Sequence, residues 1–448
     1  MTRPPHTPPH TTTRAGSRRS APGDDAVATV DGRGLLRHAA PPRLWPGLEA
    51  TARRIVFWAG ALSGTGTIEV CEAGRSHRLG SGDPLVRVEV HDARVYEALL
   101  ASRSVGLGSS YVAGWWDSDD LTAFLRTLFA RMRPLLERMD SLGRAFAGLL
   151  DVPARLAAPS RADDERNVRE HYDLSNEFFE LMLDDTMTYS CGLFDSPDSS
   201  LRDAQVRKMD RLCSKLDLKP GDRLIEIGSG WGGFAIHAAR HYGSLVTTTT
   251  VSEAQRGYVE DRVAAAGLAD RVTVLGAHWR DLRGRFDKLV SVEMIEAVDW
   301  RHHDDFLAAC AGLLESGGLA ALQAIVIDDR SFERAKRHRD FIRAMVFPGG
   351  CLPSVASITD SLARATDLRV VDLEDIGRHY AETLRRWAAN LDSHEVEIQG
   401  LGMGTEFRRL WALYLAYCEA AFLERHVSDV QVVLAKPSWR GRLGARAV

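Results

Sequence analysis

An acidic residue followed by four closely spaced glycines separates a strand-like segment from a helix-like one near the middle of the chain. Arg223–Ile227 is short and apolar, Gly228–Gly233 contains the glycines, and Phe234–Tyr242 has a helical pattern. Glycine lets the backbone turn tightly and approach a ligand closely. In this context of strand, turn and helix, the feature predicts a ligand-binding turn, which we favour over a plain tight turn.

Strand-like and helix-like segments continue to alternate beyond this turn. Strands are predicted at 245–251, 271–275, 288–292, 319–327, 368–373 and 430–434, and helices at 252–265 and 304–314, the latter closed by residues 316–318. This order is typical of an α/β fold, in which a largely parallel sheet carries helices on both faces. Upstream, residues 66–70 and 85–90 alternate like half-buried strands and helical stretches follow them, which indicates a smaller α+β unit.

These patterns divide the chain into four parts. Residues 1–34 are rich in Pro, Thr, Gly and Arg and are predicted to form a disordered tail, because they cannot bury enough apolar surface to fold. A small N-terminal α+β domain is expected at 35–135, a helical linker at 136–166, and the α/β domain at 167–448.

The acid that precedes the glycine turn limits which ligands the turn can bind. Gly228, Gly230 and Gly233 also satisfy the dinucleotide-binding pattern G-x-G-x-x-G, but an isolated match is weak evidence. Glu226 would lie close to a pyrophosphate and repel it, whereas it would attract the sulfonium and ammonium groups of S-adenosylmethionine. We therefore favour a methyltransferase over a dinucleotide-binding enzyme.

Composition limits the partners and the compartment. The formal net charge is −4, which argues against a nucleic-acid partner bound by bulk charge. Six cysteines lack C-x-x-C spacing and the His302-His303 pair lacks ligand spacing, so we expect reduced thiols and no metal. No apolar run approaches the ~20 residues of a membrane span, and the N-terminus has no secretory signal. We expect a cytoplasmic protein that contacts the inner face of the cell membrane only peripherally.

The ordered motifs of the chain resemble the cyclopropane-fatty-acyl-phospholipid synthase family and its mycolic acid relatives. The motifs are His171–Asn176, Thr188–Cys191, Glu226–Gly233, Val290–Glu296, Phe347–Ser354 and Tyr414–Cys418. In addition, Gly106–Trp116 resembles the amino-terminal domain of the bacterial synthases. The resemblance implies a Rossmann-like class I methyltransferase sheet. It also implies transfer of methyl from S-adenosylmethionine to the double bond of an unsaturated phospholipid acyl chain. A carbocation then loses a proton to a bound bicarbonate and closes to a cyclopropane.

The resemblance also implies roles for individual residues. The residues expected to contact S-adenosylmethionine, including the acid and the third glycine of the turn, are Tyr189, Ser190, Glu226, Gly228, Gly230, Gly232, Thr250, Gln255 and Trp279. The residues expected to cradle bicarbonate are Cys191, Glu296, Ile325 and Tyr380. Cys418 lies at a place treated as catalytic in the family, but we favour a structural thiol, because nothing nearby in sequence would activate it. If the strand at 288–292 continued, residues 293 and 296 would face opposite sides, and the family match selects Glu296 for the pocket.

The chain departs from the family pattern at two positions, which leaves alternative functions open. Gln323 and Ala297 stand where the bacterial synthases have histidine, and glutamine can hydrogen-bond an anion but cannot titrate. A carbocation that loses a different proton gives a methylene branch, so a methyl- or methylene-branched fatty acid synthase is an alternative. A non-catalytic lipid-binding protein with a methyltransferase fold is a second alternative, although Glu226, Glu296 and Tyr380 argue against it.

A basic segment followed by apolar residues suggests where lipid could bind. Residues 330–343 carry six Lys or Arg side chains, and Phe341–Phe347 is largely apolar. This combination suits contact with anionic headgroups and acyl chains of a membrane surface, while the interspersed acids fit a solvated helix face equally well. The oligomeric state is left open, with a homodimer among the options.

Overall fold

The computed structural model describes residues 49–61, 65–130 and 174–441, so the predictions for residues 1–34, 136–166 and 171–173 lie outside the described residues. The amino-terminal part contains a three-stranded antiparallel sheet with helices beside it. Its elements are α1 (Glu49–Ala61), β1 (Thr65–Glu72), β2 (Arg75–Val90), α2 (Arg94–Val112), β3 (Trp116–Ser118) and α3 (121–130). The predicted strands at 66–70 and 85–90 are confirmed, and β2 begins ten residues earlier than expected because it forms a long hairpin with β1.

The second part contains a seven-stranded sheet flanked by helices. Its strands are β4 (Arg223–Ile227), β5 (Leu245–Thr250), β6 (Val272–Gly276), β7 (Phe286–Val292), β8 (Leu314–Ile327), β9 (Arg369–Asp375) and β10 (Val427–Ala435). Its helices are α4 (Asn176–Met182), α5 (Leu201–Lys215), α6 (Gly233–Tyr242), α7 (Glu253–Ala265), α8 (His303–Leu313), α9 (Asp329–Ala335), α10 (Phe341–Met345), α11 (Val355–Ala365), α12 (Arg378–Ser393), α13 (Glu395–Gly400) and α14 (Thr405–Leu423).

The strand order of this sheet is β6-β5-β4-β7-β8-β10-β9. In this order, adjacent strands from β6 through β8 are parallel, and β10 is antiparallel to both β8 and β9. The predicted α/β fold is confirmed. Apolar side chains of β4, β7 and β8 pack against helices on both faces, as expected for a parallel sheet whose crossover helices cover it.

One predicted boundary is wrong. Residues 316–318 were expected to close helix α8, but they lie within β8. The carbonyl of Gly318 accepts a hydrogen bond from Lys436 N at 3.0 Å, and a Cβ at Gly318 would lie 3.1 Å from Asp287 O. Backbone neighbours on both sides therefore stabilise this glycine pair as part of the sheet. Local sequence propensity does not indicate these contacts.

Helix α14 joins the two parts through Arg409. Its Nε donates to Tyr111 O at 2.6 Å and its Nη2 to Trp116 O at 2.8 Å, while Nη1 lies 2.8 Å from an Asp117 carboxylate oxygen. The guanidinium also lies 4.0 Å from the centre of the Tyr111 ring. One side chain thus satisfies two carbonyls of the amino-terminal part. The assignment of these parts as separate domains remains a prediction.

We expect Arg409→Met to lower the free energy of unfolding by about 2–4 kcal/mol, because two carbonyls lose a charged donor. Arg409→Lys should recover only part of this loss, since an ammonium cannot reproduce the planar fork. Chemical denaturation followed by fluorescence measures both. Arg408→Met is the matched control, because the pair that Arg408 forms with the exposed Glu395 should matter little. Equal unfolding midpoints for Arg409→Met and the unmodified protein would contradict the account.

Candidate active site

A cavity lies at the carboxyl ends of β4, β5 and β7. Strand β4 has β5 on one side and β7 on the other, so the chain reverses its winding direction there and leaves a crevice outside the strand ends. Residues 227–231, 249–251 and 292–294, which end or follow these three strands, line the cavity. The sheet topology therefore places the predicted glycine turn at the site where this class of fold binds ligands.

Different structural constraints require glycine at different positions of the turn. Gly228 and Gly230 have φ of 95° and 49°, a region that other residues enter only at a cost, and both line the cavity. Gly232, with φ of 85°, does not line it, and a Cβ there would lie 2.9 Å from a Val259 methyl carbon. Eight of the nine residues expected to contact the cofactor line the cavity, and Gly232 instead lets the turn pack against α7.

Two buried polar side chains of the cavity fit S-adenosylmethionine. Burial raises the pKa of Glu226 to about 8, against the opposing effect of a 2.5 Å hydrogen bond from Thr248 Oγ1. A cation placed beside this carboxylate would compensate its burial. Gln255 accepts from Thr250 Oγ1 at 2.9 Å, while its buried Nε2 has no hydrogen-bond partner among the described residues. A ligand acceptor could satisfy that amide.

Lys208 also lines the cavity, although it is not among the site residues predicted from the sequence. This buried lysine on α5 places its Nζ 2.5 Å from Ser190 Oγ, and burial lowers its pKa. The neighbouring Gln205 donates to Ser190 O at 2.7 Å. Both side chains hold the segment before Cys191 in place. Nothing in the helical pattern of α5 distinguishes Lys208 from a solvated lysine, so no sequence signal could have identified it.

Of the two acids in the Val290–Glu296 motif, Glu293 lines the cavity. Its Oε1 accepts hydrogen bonds from Cys191 N at 2.9 Å and from Gln323 Nε2 at 2.8 Å. Its Oε2 accepts from Tyr380 Oη at 2.6 Å. Burial, together with the charge of Glu293, raises the pKa of Tyr380 well above its usual value, so that the phenol remains a donor. Three donors from distant parts of the chain converge on this one carboxylate.

The expectation that Glu296 and not Glu293 faces the pocket is corrected by the structure, in which Glu293 lines the cavity. Strand β7 ends at Val292, and residues 295–297 form a 3-10 helix, so the alternation of a strand no longer applies. Glu296 does not line the cavity; its Oε1 accepts from Ile325 N at 2.5 Å. Burial, followed by the charge of Glu293, raises the pKa of Glu296 to about 8. Ile325 thus binds Glu296 through its backbone.

Gln323 connects this cluster to two further polar residues of β10. Its Nε2 donates to Asp429 Oδ2 at 3.0 Å as well as to Glu293, and its Oε1 accepts from Gln431 Nε2 at 3.1 Å. All three partners of the amide are therefore supplied by the protein. A neutral histidine has a single N–H and could not donate to both acids. Asp429 and Gln431, which alternate with Val430 and Val432 in β10, were the sequence signal for this cluster.

The residues expected to cradle bicarbonate do not fit that anion. Cys191 N and Tyr380 Oη already donate to Glu293, and Ile325 N already donates to Glu296. The backbone and phenol donors of the expected cradle are therefore engaged by carboxylates of the chain, and a further anion would meet two acids.

The expected thiols and lipid-binding segment lie outside the cavity. Burial raises the pKa values of Cys191 and Cys418 well above the usual range, so neither is a thiolate, and the role of Cys418 as a structural thiol remains a prediction. Phe341 and Met345, in the apolar part of the lipid-binding segment, are buried, and Phe341 packs where a Cβ at Gly108 would collide with its ring. These apolar side chains face the core and are not available to a membrane.

We expect Gly230→Val to abolish binding of S-adenosylmethionine, because the new side chain would strain the turn and project into open space at the cavity. Isothermal titration calorimetry measures the affinity. Gly267→Val is the matched control: Gly267 also has positive φ and open surroundings but does not line the cavity. Undiminished affinity in Gly230→Val, or equal loss in both variants, would refute this site.

Comparison with solved structures gives the same fold. Over 64% of this chain and all of the other, the chain superimposes on the cyclopropane synthase MmaA2 from Mycobacterium tuberculosis with a TM-score of 0.57 and 29% identity. The mycolic acid cyclopropane synthase CmaA1, complexed with SAH and CTAB, gives a TM-score of 0.57 and 31% identity over 61% of this chain and 98% of that one.

Similar sequences extend over most of the chain. The tuberculostearic acid methyltransferase UfaA1 of Mycobacterium tuberculosis is 38% identical over 74% of this chain and 79% of its own length. The cyclopropane-fatty-acyl-phospholipid synthase of Escherichia coli is 33% identical over 82% of this chain and 92% of its own. The family model described as mycolic acid cyclopropane synthetase matches residues 159–432. The chain therefore belongs to the mycolic acid cyclopropane synthetase family and is an S-adenosylmethionine-dependent methyltransferase of that type.

Proposed function

We propose that this protein transfers a methyl group from S-adenosylmethionine to the double bond of an unsaturated acyl chain in a phospholipid, and that the product is a cyclopropane ring. The observation that carries this proposal is a single cavity lined both by the acid–glycine turn and by the fixed carboxylate of Glu293. Methylation of an alkene needs both, because an electrophile must be held in line and the cation that forms must lose a proton.

The side chains around the cavity suit this chemistry. The cofactor supplies an electrophilic methyl group, and an alkene is a weak nucleophile for it. Glu226 attracts the positive charge of the cofactor, and the ring of Tyr189, which lines the cavity, can stabilise a nearby cation. That ring is fixed by a 2.7 Å hydrogen bond between its hydroxyl and Tyr414 and by packing 5.0 Å from Trp387. Buried aromatic walls also exclude water, which would trap a carbocation.

A phospholipid substrate is supported by the Escherichia coli relative, which is named as a synthase of cyclopropane-fatty-acyl phospholipid. Within the described ranges, no helix is long and apolar enough to cross a membrane. We infer that the protein, in the cytoplasm, meets the inner membrane surface peripherally. Helix α9 follows the carboxyl end of β8, at the same sheet edge as the cavity, and Arg330, Arg337 and Arg339 are exposed there. Such cations attract anionic headgroups.

A methyl- or methylene-branched product is a second candidate. It is favoured by the relative named tuberculostearic acid methyltransferase and by Gln323, which replaces the titratable histidine expected from the family. Hydride migration along the chain before proton loss would give a methylene branch, whereas direct loss from the new methyl gives a ring. A non-catalytic lipid-binding protein is disfavoured, because these two relatives are named as a methyltransferase and a synthase.

We expect vesicles of dioleoylphosphatidylglycerol to gain one CH2 per modified acyl chain when incubated with the protein and S-adenosylmethionine. Mass spectrometry detects the gain, and proton NMR of the extracted lipid should show upfield ring protons. Vinylidene signals would select the second candidate. Vesicles of the saturated dipalmitoyl lipid are the control and should stay unchanged. Unmodified dioleoyl chains, or methylation of both lipids, would contradict methylation of an acyl double bond.

A further inference from the structure

We propose that Glu293 is the general base of this reaction and that its carboxylate takes the place that the family resemblance assigned to a bound bicarbonate. This inference rests on the proposed function. It removes the need for an external anion and assigns proton removal to a side chain of the protein.

The hydrogen bonds of Glu293 define an anion site that is already filled. Cys191 N, Gln323 Nε2 and Tyr380 Oη converge on its two oxygens at 2.6–2.9 Å. Two of these donors belong to the residues expected to cradle bicarbonate. A carboxylate and a bicarbonate both present planar, anionic oxygens, so the same donors suit either. The side chain of Glu293 reaches them from within the protein.

The backbone of Glu293 is held in an unusual conformation that delivers this side chain. Its φ of 49° lies in the left-handed region, which costs a residue other than glycine about 1 kcal/mol or more. The Glu293 N–H donates to Gln323 O at 2.8 Å and extends the contact between β7 and β8 by one residue. Strain of this kind is concentrated at functional sites, where the surrounding structure can maintain it.

The other acids near the cavity, Glu226 and Asp429, are not placed to act as the base. Among the described residues that line the cavity, the acids are Glu226 and Glu293, and Glu226 lies at the cofactor turn. Asp429 is fully buried behind Gln323, and burial together with the charges of Glu293 and Glu296 raises its pKa well above the usual range. The neutral form of Asp429 is therefore favoured, and Asp429 does not line the cavity.

The chemical step balances without an oxidant or reductant. The S–CH3 bond of the cofactor breaks with its electron pair left on sulfur, and the methyl carbon bonds to one alkene carbon with the π electrons. The other alkene carbon becomes cationic. A Glu293 oxygen then accepts a proton from the new methyl group, and the electron pair of that C–H bond forms the third bond of the ring. After hydride migration, the same electron pair would form a C=C bond instead.

Glu293→Gly tests this inference by emptying the anion site. Glycine accepts the positive φ without strain, and the three donors lose their acceptor. In buffer freed of carbon dioxide, with dioleoylphosphatidylglycerol vesicles, we expect turnover to fall by ~10²-fold or more. Added bicarbonate should restore it at least tenfold, whereas chloride at equal ionic strength should not. Glu293→Gln should be equally slow and not restored, because its amide still fills the site.

Asp217→Gly is the matched control, because Asp217 is also an acid with φ of 49° but lies outside the cavity. Its turnover should stay near that of the unmodified protein, with or without bicarbonate. An unmodified protein whose turnover needs bicarbonate, a fully active Glu293→Gly variant, or a slow one that bicarbonate does not restore would each overturn the inference. If the unmodified protein methylates no lipid under any condition, the proposed function itself fails, which is a separate result.

Discussion

The arrangement of the site depends on one carboxylate that receives hydrogen bonds from three distant parts of the chain. Glu293 follows β7, and its donors are the backbone of Cys191, the amide of Gln323 on β8, and the hydroxyl of Tyr380 on α12. Removing the acid would leave these buried donors unsatisfied, at a cost of about 1–3 kcal/mol each. The same contacts place an acceptor for a proton at the wall of the cofactor cavity, so stability and chemistry share one interaction.

Burial of several acids in one region sets the electrostatics of this site. Burial raises the pKa values of Glu226 and Glu296 to about 8 and that of Asp429 well above its usual range. Lys208 is a buried lysine near Glu226 and Asp429, and burial lowers its pKa. A cationic cofactor and a carbocation would each find negative charge or a readily ionised acid nearby. The protein thus provides charge stabilisation before the reaction begins, without reorganising water.

Much of the fold could be predicted from local sequence, because the acid–glycine turn and the alternation of strands and helices are local features. The extension of β8 to Leu314 could not, since backbone neighbours distant in sequence determine it. The residues that line the cofactor turn were predictable from motif order. The choice between Glu293 and Glu296 was not, because it depends on where β7 ends and on the positive φ that follows. Lys208 was missed because only tertiary packing buries it.

The most direct test of the central claim is a crystal structure of the complex with S-adenosylhomocysteine, from crystals grown in bicarbonate. We expect electron density for the Glu293 carboxylate, continuous with its Cα, within hydrogen-bond distance of Cys191 N, Gln323 Nε2 and Tyr380 Oη. Density for a separate planar anion bound to these three donors, with the Glu293 side chain turned away from them, would contradict it.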